Sequence, residues 1–145
     1  MINLKDKIPN TILEAIQLLY NGLTASEKEF ILGNDAARVH HFTGMAIRNE
    51  WGLWNKNSPI VKELQTEYGL FGHGDDCSGL ILAGLWAHVR GQDVEKTLAA
   101  EADRYYAHWK REGLDPKTGE PIKGFQRKTQ SILVGKEGQI IVDEM

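Results

Sequence analysis

Between Phe71 and Ser78 the chain carries the polar run FGHGDDCS, in which a histidine and two aspartates precede a cysteine and a serine. A carboxylate beside an imidazole orients the ring and stabilises its charged form, so such a pair can transfer protons. His73 with Asp75 or Asp76 could therefore act in general acid and base catalysis. The aspartates also precede an apolar helix, whose N-terminus favours a capping side chain and negative charge. We expect this capping role to be the main one.

A second polar group lies in the run VHHFTGMAIRNEWGLW, which begins at Val39. The guanidinium of Arg48 and the amide of Asn49 could together bind a carboxylate or a phosphate. Nearby tryptophans could wall a pocket or stack on a base, because apolar aromatic walls with few polar groups are usual for ligand sites. The residues predicted to bind a ligand are His41, Arg48, Asn49, Trp51, Trp54 and His73.

Both polar groups also have a structural interpretation. Arg48 would then pair with a nearby carboxylate, and the tryptophans would fill the core. The candidate carboxylates are those of Asp75, Asp76 and Glu50. The sequence supports both interpretations.

The same side chains contain the right atoms for a metal site made of nitrogen and oxygen ligands. However, the adjacent His40 and His41 point about 100° apart on a helix, and the chain has no H-x-x-x-H pair. We therefore predict no metal and no cofactor. If the protein is an enzyme, we expect a hydrolase of phosphate esters, with or without a metal. Its catalytic residues would be His41, His73, Asp75 and Asp76.

The two polar groups together resemble a known family. The segments HHF, G, RN-x-WGLW and H-x-DD-x-S, followed by an apolar helix, are similar to an uncharacterised bacterial domain of unknown function over residues 9–91. In that family proline often precedes the two aspartates and methionine follows them, whereas this chain has Gly74 and Cys77. The resemblance implies a fold and no activity. The matching residues are His41, Phe42, Gly44, Arg48, Asn49, Trp51, Gly52, Leu53, Trp54, Asp75, Asp76 and Ser78.

Charge and composition narrow the classes of function. The net charge of −3 at pH 7 disfavours a nucleic-acid binder, which needs clustered positive charge. Cys77 is the single cysteine, which excludes an intramolecular disulfide and favours a reducing compartment. No run of about 18 apolar residues predicts a membrane span, and the N-terminus does not resemble a signal peptide. We therefore expect a cytoplasmic protein with no membrane partner.

Hydrophobic periodicity predicts a mainly α fold, a compact bundle of five or six helices. Capping signals predict the starts of four of them, at Thr11, at Thr24 or Ser26, at Asn34 or Asp35, and at Asp93. On the third of these helices, Val39, Phe42 and Ala46 should form the apolar side, with Met45 and Ile47 at its edges. The helix over about residues 76–90 is apolar on all sides, which is typical of a buried central helix. Glycines 79 and 84 should let neighbouring helices approach it closely.

After Gly113 the composition changes to turn-forming and basic residues. We predict a helical domain over residues 1–113, followed over 114–145 by a basic loop and a short C-terminal β-hairpin. A two-stranded hairpin is marginal alone, so it should pack on the helices or on another chain. Contact with another chain would make a homo-oligomer.

The chain shows no complete catalytic constellation, and we therefore favour a small noncatalytic binding protein. We expect an accessory factor of a bacterium or a phage, whose partner is another protein or a small anionic ligand such as a nucleotide. The phosphate-ester hydrolase is the alternative. Turnover and ligand binding, measured on the same protein, would separate the two.

Overall fold

The computed structural model of the chain describes residues 3–125 together with 133–134 and 140–141, and leaves out the side chains of Phe42 and of these last four residues. This described part is mainly helical, as predicted. The helices are α1 Ile12–Asn21, α2 Ala25–Gly33, α3 Ala36–Glu50, α4 Pro59–Tyr68, α5 Gly74–Val89 and α6 Val94–Arg111. Two short strands, β1 Leu133–Val134 and β2 Ile140–Ile141, pair antiparallel. The complete β-hairpin stays a prediction, because the residues that join and flank the strands lie outside the described part.

Local side-chain hydrogen bonds explain where the helices begin. Thr11 and Thr24 each accept a bond from the backbone N–H three residues further on. At Thr24 the side chain of Glu27 returns a bond to the backbone and completes a capping box. Asp35 and Asp93 cap α3 and α6 in the same way as Thr11 caps α1. The four predicted helix starts are confirmed.

Helix α5 lies at the centre of the bundle, since α1, α2, α3, α4 and α6 all contact it. Its side chains Leu80, Leu82 and Leu85 are fully buried, and burial of each stabilises the fold by roughly 1.5–3 kcal/mol. Gly84 lies so close to Ile16 of α1 that a Cβ there would collide with the Ile16 side chain. The central helix and the close approach at this glycine are therefore confirmed.

The N-terminus of α5 differs from the prediction. The N-cap is His73, whose side chain accepts a hydrogen bond from the backbone N–H of Asp75. The prediction that Asp75 and Asp76 cap the helix is therefore wrong. They lie in its first turn, where their charges still favour the N-terminal end of the helix dipole.

The buried face of α3 is also rotated relative to the prediction. Ala46, predicted on the apolar face, is exposed, whereas Ile47, predicted at its edge, is fully buried. Val39, Ile47 and Trp51 are all buried and lie at intervals of eight and four residues, so they follow one row along the helix. This rotation decides which polar residues of α3 face α5.

Residues 114–125 form a loop that packs against the connection between α4 and α5. Leu114 forms a backbone bridge with Pro121, and Gly119 lies directly against the ring of Phe71. The predicted division at residue 113 stays a prediction, and so does contact between chains through the tail. Residues 126–132, 135–139 and 142–145 lie outside the described part. Within the described residues, no helix combines the length and the apolar character needed to cross a bilayer.

Candidate functional site

The first polar group is centred on Arg48, near the end of α3. Its Nη1 atom donates to Asp75 Oδ1 and to the Ser78 hydroxyl, both at 2.9 Å. The same nitrogen lies 3.3 Å from Nε2 of His40, and that ring nitrogen lies 2.8 Å from Ser78 Oγ. The Ser78 hydroxyl donates to the carbonyl oxygen of Asp75 at 3.1 Å. We call these four residues the Arg48 cluster. It joins α3 to the start of α5 and confirms that Arg48 pairs with Asp75.

The spacing of residues on α3 explains how the cluster forms. His40, Gly44 and Arg48 follow at intervals of four residues, so they lie along one row of the helix. A Cβ at Gly44 would lie 2.5 Å from His40 Cδ2 and 2.8 Å from Arg48 Nη1. The missing side chain therefore lets Arg48 extend back along the helix to His40, in the direction that helical side chains usually take. A glycine midway between a histidine and an arginine is the sequence signal for this contact.

The other predicted ligand-binding residues of this segment lie elsewhere. His41 is exposed, because it lies one residue, or about 100°, around the helix from His40. Asn49 is exposed as well. Trp51 is only 2% exposed and donates from Nε1 to the carbonyl oxygen of Leu4 at 2.9 Å. Trp51 is therefore a core residue, and the structure does not place it in a ligand pocket.

Burial determines the chemistry that His40 and Ser78 can perform. Burial is the largest influence on His40 and lowers its pKa, although the Asp75 carboxylate acts in the opposite direction. His40 is therefore neutral near pH 7. A histidine within hydrogen-bond distance of a serine is also the pattern of an activated nucleophile. However, Ser78 is 0% exposed, so this contact holds two helices together and does not present a nucleophile.

His73 connects the Arg48 cluster to a group of aromatic rings. Its Nδ1 accepts the Asp75 N–H at 3.1 Å, so the neutral ring carries its proton on Nε2. The ring contacts Trp54 and Trp109, at centroid distances of 5.6 and 5.4 Å. The guanidinium of Arg48 lies 5.6 Å from the centroid of Trp54, which is 56% exposed. Arg48, Trp54 and His73 therefore lie close together, and their role in ligand binding stays a prediction. Of the three, His73 lines the cleft described below and the other two do not.

Asp76 is the buried carboxylate of the group, since only 7% of the residue is exposed. Trp109 of α6 donates from Nε1 to Asp76 Oδ2 at 2.7 Å. Burial raises the pKa of Asp76, and it outweighs the Trp109 hydrogen bond and the nearby His73, which both lower it. Asp76 therefore keeps its proton to a higher pH than an exposed aspartate does.

A cleft of about 670 Å³ opens beside these residues, between the start of α5 and the second half of α6. This volume lies within the range of roughly 300–1,000 Å³ that is usual for small-molecule sites. One wall comes from His73, Asp75 and Asp76. The other wall consists of residues of α6, namely Arg104, Tyr105, Ala107, His108, Trp109 and Arg111.

The α6 wall was not among the residues that the sequence indicated for a site. Arg104, His108 and Arg111 are spaced by four and three residues, so they share one face of the helix. That spacing was the available signal. A helix face that is simply exposed to water has the same spacing of polar residues. The spacing alone therefore does not show that this face of α6 meets the first turn of α5.

Replacing Asp76 by asparagine is expected to change how stability depends on pH. Because the pKa of Asp76 is raised in the folded state, the unfolded chain ionises first. The stabilisation that Asp76 contributes is therefore complete in acid and is lost as the pH rises through its folded-state pKa. Asparagine keeps an oxygen for Trp109 but does not ionise. In urea unfolding from about pH 4 to about pH 7, wild type should lose free energy of unfolding relative to the variant.

The matched control for this prediction is Asp103→Asn, since Asp103 lies on α6 and is exposed. This variant removes a carboxylate without changing a buried site, so its pH profile should follow that of wild type. Parallel profiles for Asp76→Asn and wild type would contradict the prediction, because they would mean that Asp76 ionises equally in the folded and unfolded states.

Within residues 3–125 and the two strands, no three His, Cys, Asp or Glu side chains are placed together to hold a metal ion. Cys77 is fully buried, and burial raises the pKa of its thiol to about 12. A thiol with so high a pKa does not form the reactive thiolate near neutral pH. The groups of this region that can bind a ligand or transfer a proton are therefore its imidazoles, carboxylates and guanidinium groups.

Comparison with known protein families identifies a match for most of the helical region. A family model described as a domain of unknown function (DUF6794) matches residues 8–89, which is more than half of the chain. No curated protein and no solved structure matches the chain. The matched range contains the Arg48 cluster and His73, and it ends before α6 begins. One wall of the cleft thus lies inside the matched range and the other lies beyond it.

Proposed function

The chain belongs to the DUF6794 family, and since that family is described only as having unknown function, we propose from the cleft itself that the protein binds a small anionic ligand without transforming it. The observation that carries the proposal is that several side chains lining the cleft can donate hydrogen bonds. Arg104 and Arg111 can only donate, and Nε2 of His73 carries a proton to donate. A ligand rich in acceptors, such as a phosphate, complements such a wall.

The two carboxylates of the cleft already have partners within the protein. Asp75 Oδ1 accepts from Arg48, and Asp76 Oδ2 accepts from Trp109. Their negative charge is therefore partly compensated before a ligand enters. Arg104 instead pairs with Glu101 while 74% of its own side chain is exposed. Because the Glu101 side chain is only 15% exposed, separating the pair costs more than the roughly 1 kcal/mol of a fully exposed pair. Arg104 can instead keep Glu101 and direct its remaining donors, which are largely exposed, towards an incoming anion.

The α6 wall also carries aromatic side chains, which complement a planar group on the ligand. Trp109 contacts the rings of His108 and His73, at centroid distances of 4.9 and 5.4 Å. Stacking of a base on such a ring contributes about 1–3 kcal/mol. A nucleotide offers both a planar base and a phosphate, and the cleft volume of about 670 Å³ suits a ligand of that size. We therefore propose a nucleotide-like ligand.

The proposal predicts measurable binding of a nucleoside monophosphate. Titration of the protein with adenosine monophosphate should change tryptophan fluorescence, and calorimetry should give the dissociation constant. Arg104→Ala and Arg111→Ala should each weaken binding by roughly ten-fold, because each removes a charge-assisted hydrogen bond. Lys96→Ala is the matched control, since Lys96 also lies on α6 but does not line the cleft.

Three results would contradict this proposal. Adenosine could bind as tightly as its monophosphate, which would remove the role of the anionic group. Lys96→Ala could weaken binding as much as Arg104→Ala, which would point to general charge attraction. Guanosine, uridine and adenosine monophosphates could all fail to bind, and a protein partner would then be the remaining expectation for a binding function.

One observation favours the alternative of a phosphate-ester hydrolase. Asp76 is buried with a raised pKa and lines the same cleft as His73, and groups of this kind often occur at catalytic sites. Turnover of para-nitrophenyl phosphate that is lost in His73→Ala and Asp76→Asn, with folding retained, would replace the binding proposal by this one. His41 would take no part in that reaction, because it is exposed and does not line the cleft.

A further inference from the structure

A second, smaller cavity adjoins the cleft. It lies where α3, α5 and α6 meet and has a volume of about 170 Å³. Arg104 and Tyr105 line both this cavity and the cleft. The remaining lining residues are Ala36, Ala37, His40, Gly79, Ala83 and Glu101. Because two side chains are shared, a ligand that reaches Arg104 from the cleft also reaches the mouth of the smaller cavity.

Small residues create this space. Gly79 and Ala83 of α5 face the cavity, and the hydroxyl of Tyr105 lies so close to Gly79 that a Cβ there would collide with it. Tyr105 therefore packs directly on the backbone of α5. At this position it borders both the cavity and the cleft.

The hydrogen-bonding groups of the cavity differ from those of the cleft. The side chain of Glu101 is 15% exposed and accepts from Arg104. Burial raises the pKa of Tyr105 strongly, and the nearby Glu101 contributes to the rise, so the Tyr105 hydroxyl stays protonated. An ionised carboxylate offers about four acceptor positions, so Glu101 has acceptor capacity left over. The cavity therefore suits a group that donates hydrogen bonds, whereas the cleft suits an acceptor.

We infer that the small cavity is a subsite of the cleft, and that it holds the uncharged, hydroxyl-bearing end of a ligand whose anionic group lies at Arg104. This inference rests on the proposed function. The volume supports a subsite, because about 170 Å³ is smaller than an independent small-molecule site. It corresponds to roughly six water molecules at about 30 Å³ each, which is enough for a short polyol or part of a sugar.

The inferred ligand class follows from the two halves of the site. In such a ligand the phosphate would lie at Arg104, and a planar group attached to it would lie in the cleft, against Trp109. On its other side it would carry a hydroxylated group that enters the cavity towards Glu101. Phosphate esters of small polyols are the simplest compounds with the second half of this arrangement, and they can test it without the planar group.

The test compares sn-glycerol 3-phosphate with methyl phosphate, since both carry one phosphate monoester and only the first carries free hydroxyl groups. Wild type should bind glycerol 3-phosphate about ten-fold more tightly, as expected for two additional hydrogen bonds. Ala37→Met places a longer side chain at the exposed rim of the cavity. This variant should reduce the ratio of the two dissociation constants to about one while methyl phosphate binds as before.

Ala46→Met is the matched control, since Ala46 is exposed on the same helix and does not line the cavity. The ratio should stay near its wild-type value in this variant. Equal affinity of the two phosphates in wild type, or a ratio that Ala37→Met does not change, would overturn the subsite and leave the anion site in the cleft intact. Failure of both phosphates and of adenosine monophosphate to bind would overturn the proposed function and the subsite together.

Discussion

Replacing Trp51 by alanine is expected to lower the free energy of unfolding by about 3–5 kcal/mol, the usual cost of removing a large aromatic side chain from a core. Trp51 is 2% exposed and belongs to the continuous cluster of buried hydrophobic residues. Its Nε1 also donates to the carbonyl oxygen of Leu4, which alanine would leave without this donor. Urea unfolding followed by far-UV circular dichroism measures the loss without relying on tryptophan fluorescence.

Trp54→Ala is the matched control for this experiment. Trp54 lies three residues further along the chain and is 56% exposed, so its removal should cost about 1 kcal/mol or less. The comparison separates the two tryptophans, which the sequence analysis had placed together in one ligand site. Similar losses for both variants would show that Trp54 also stabilises the fold through its contacts with His73 and Arg48.

Arg48→Met is expected to lower the free energy of unfolding by about 2–3 kcal/mol. Methionine keeps an apolar stem of similar length but removes the donors that serve Asp75 and Ser78. Ser78 is fully buried, so its hydroxyl would lose a partner that water cannot replace. Asp75 is 55% exposed on its side chain, so water can solvate its carboxylate. We therefore expect less than the roughly 3–5 kcal/mol that breaking a fully buried ion pair costs.

Arg104→Met is the control, because Arg104 belongs to an ion pair in which it is 74% exposed. Its replacement should change the free energy of unfolding by about 1 kcal/mol or less, because Arg104 itself is solvated although its partner Glu101 is 15% exposed. A double-mutant cycle of Arg48→Met with Asp75→Asn then measures the coupling between these side chains. An Arg48→Met loss no greater than that of Arg104→Met would contradict the interpretation of the Arg48 cluster as the link between α3 and α5.

The Arg48 cluster and the cleft have different consequences for a binding function. The cluster fixes the carboxylate of Asp75, and Asp75 receives its backbone position from the N-cap His73. Both residues line the cleft. Arg48 therefore acts on any ligand in the cleft only by holding Asp75 in place. Arg48→Met therefore tests the stability of the fold, whereas Arg104→Ala tests the affinity for a ligand.

The sequence by itself determined most of the secondary structure. The N-caps Thr11, Thr24, Asp35 and Asp93 are among the candidates that the sequence indicates, because capping is a local interaction that spans three residues. The burial of α5 was predictable for a related reason. A helix that is apolar on all sides has no face to expose to water, so its central position follows from its own residues.

The tertiary structure decided which residues form the site. The sequence indicated His41 for the ligand site, but α3 packs with Ile47 buried and His40 facing Ser78 of α5. Trp109 contacts Asp76 from a residue 33 positions away in the chain. Helical periodicity shows which side chains share a face, but the helix that packs against that face is fixed by contacts between distant segments. For this reason the α6 wall of the cleft became visible only in the folded chain.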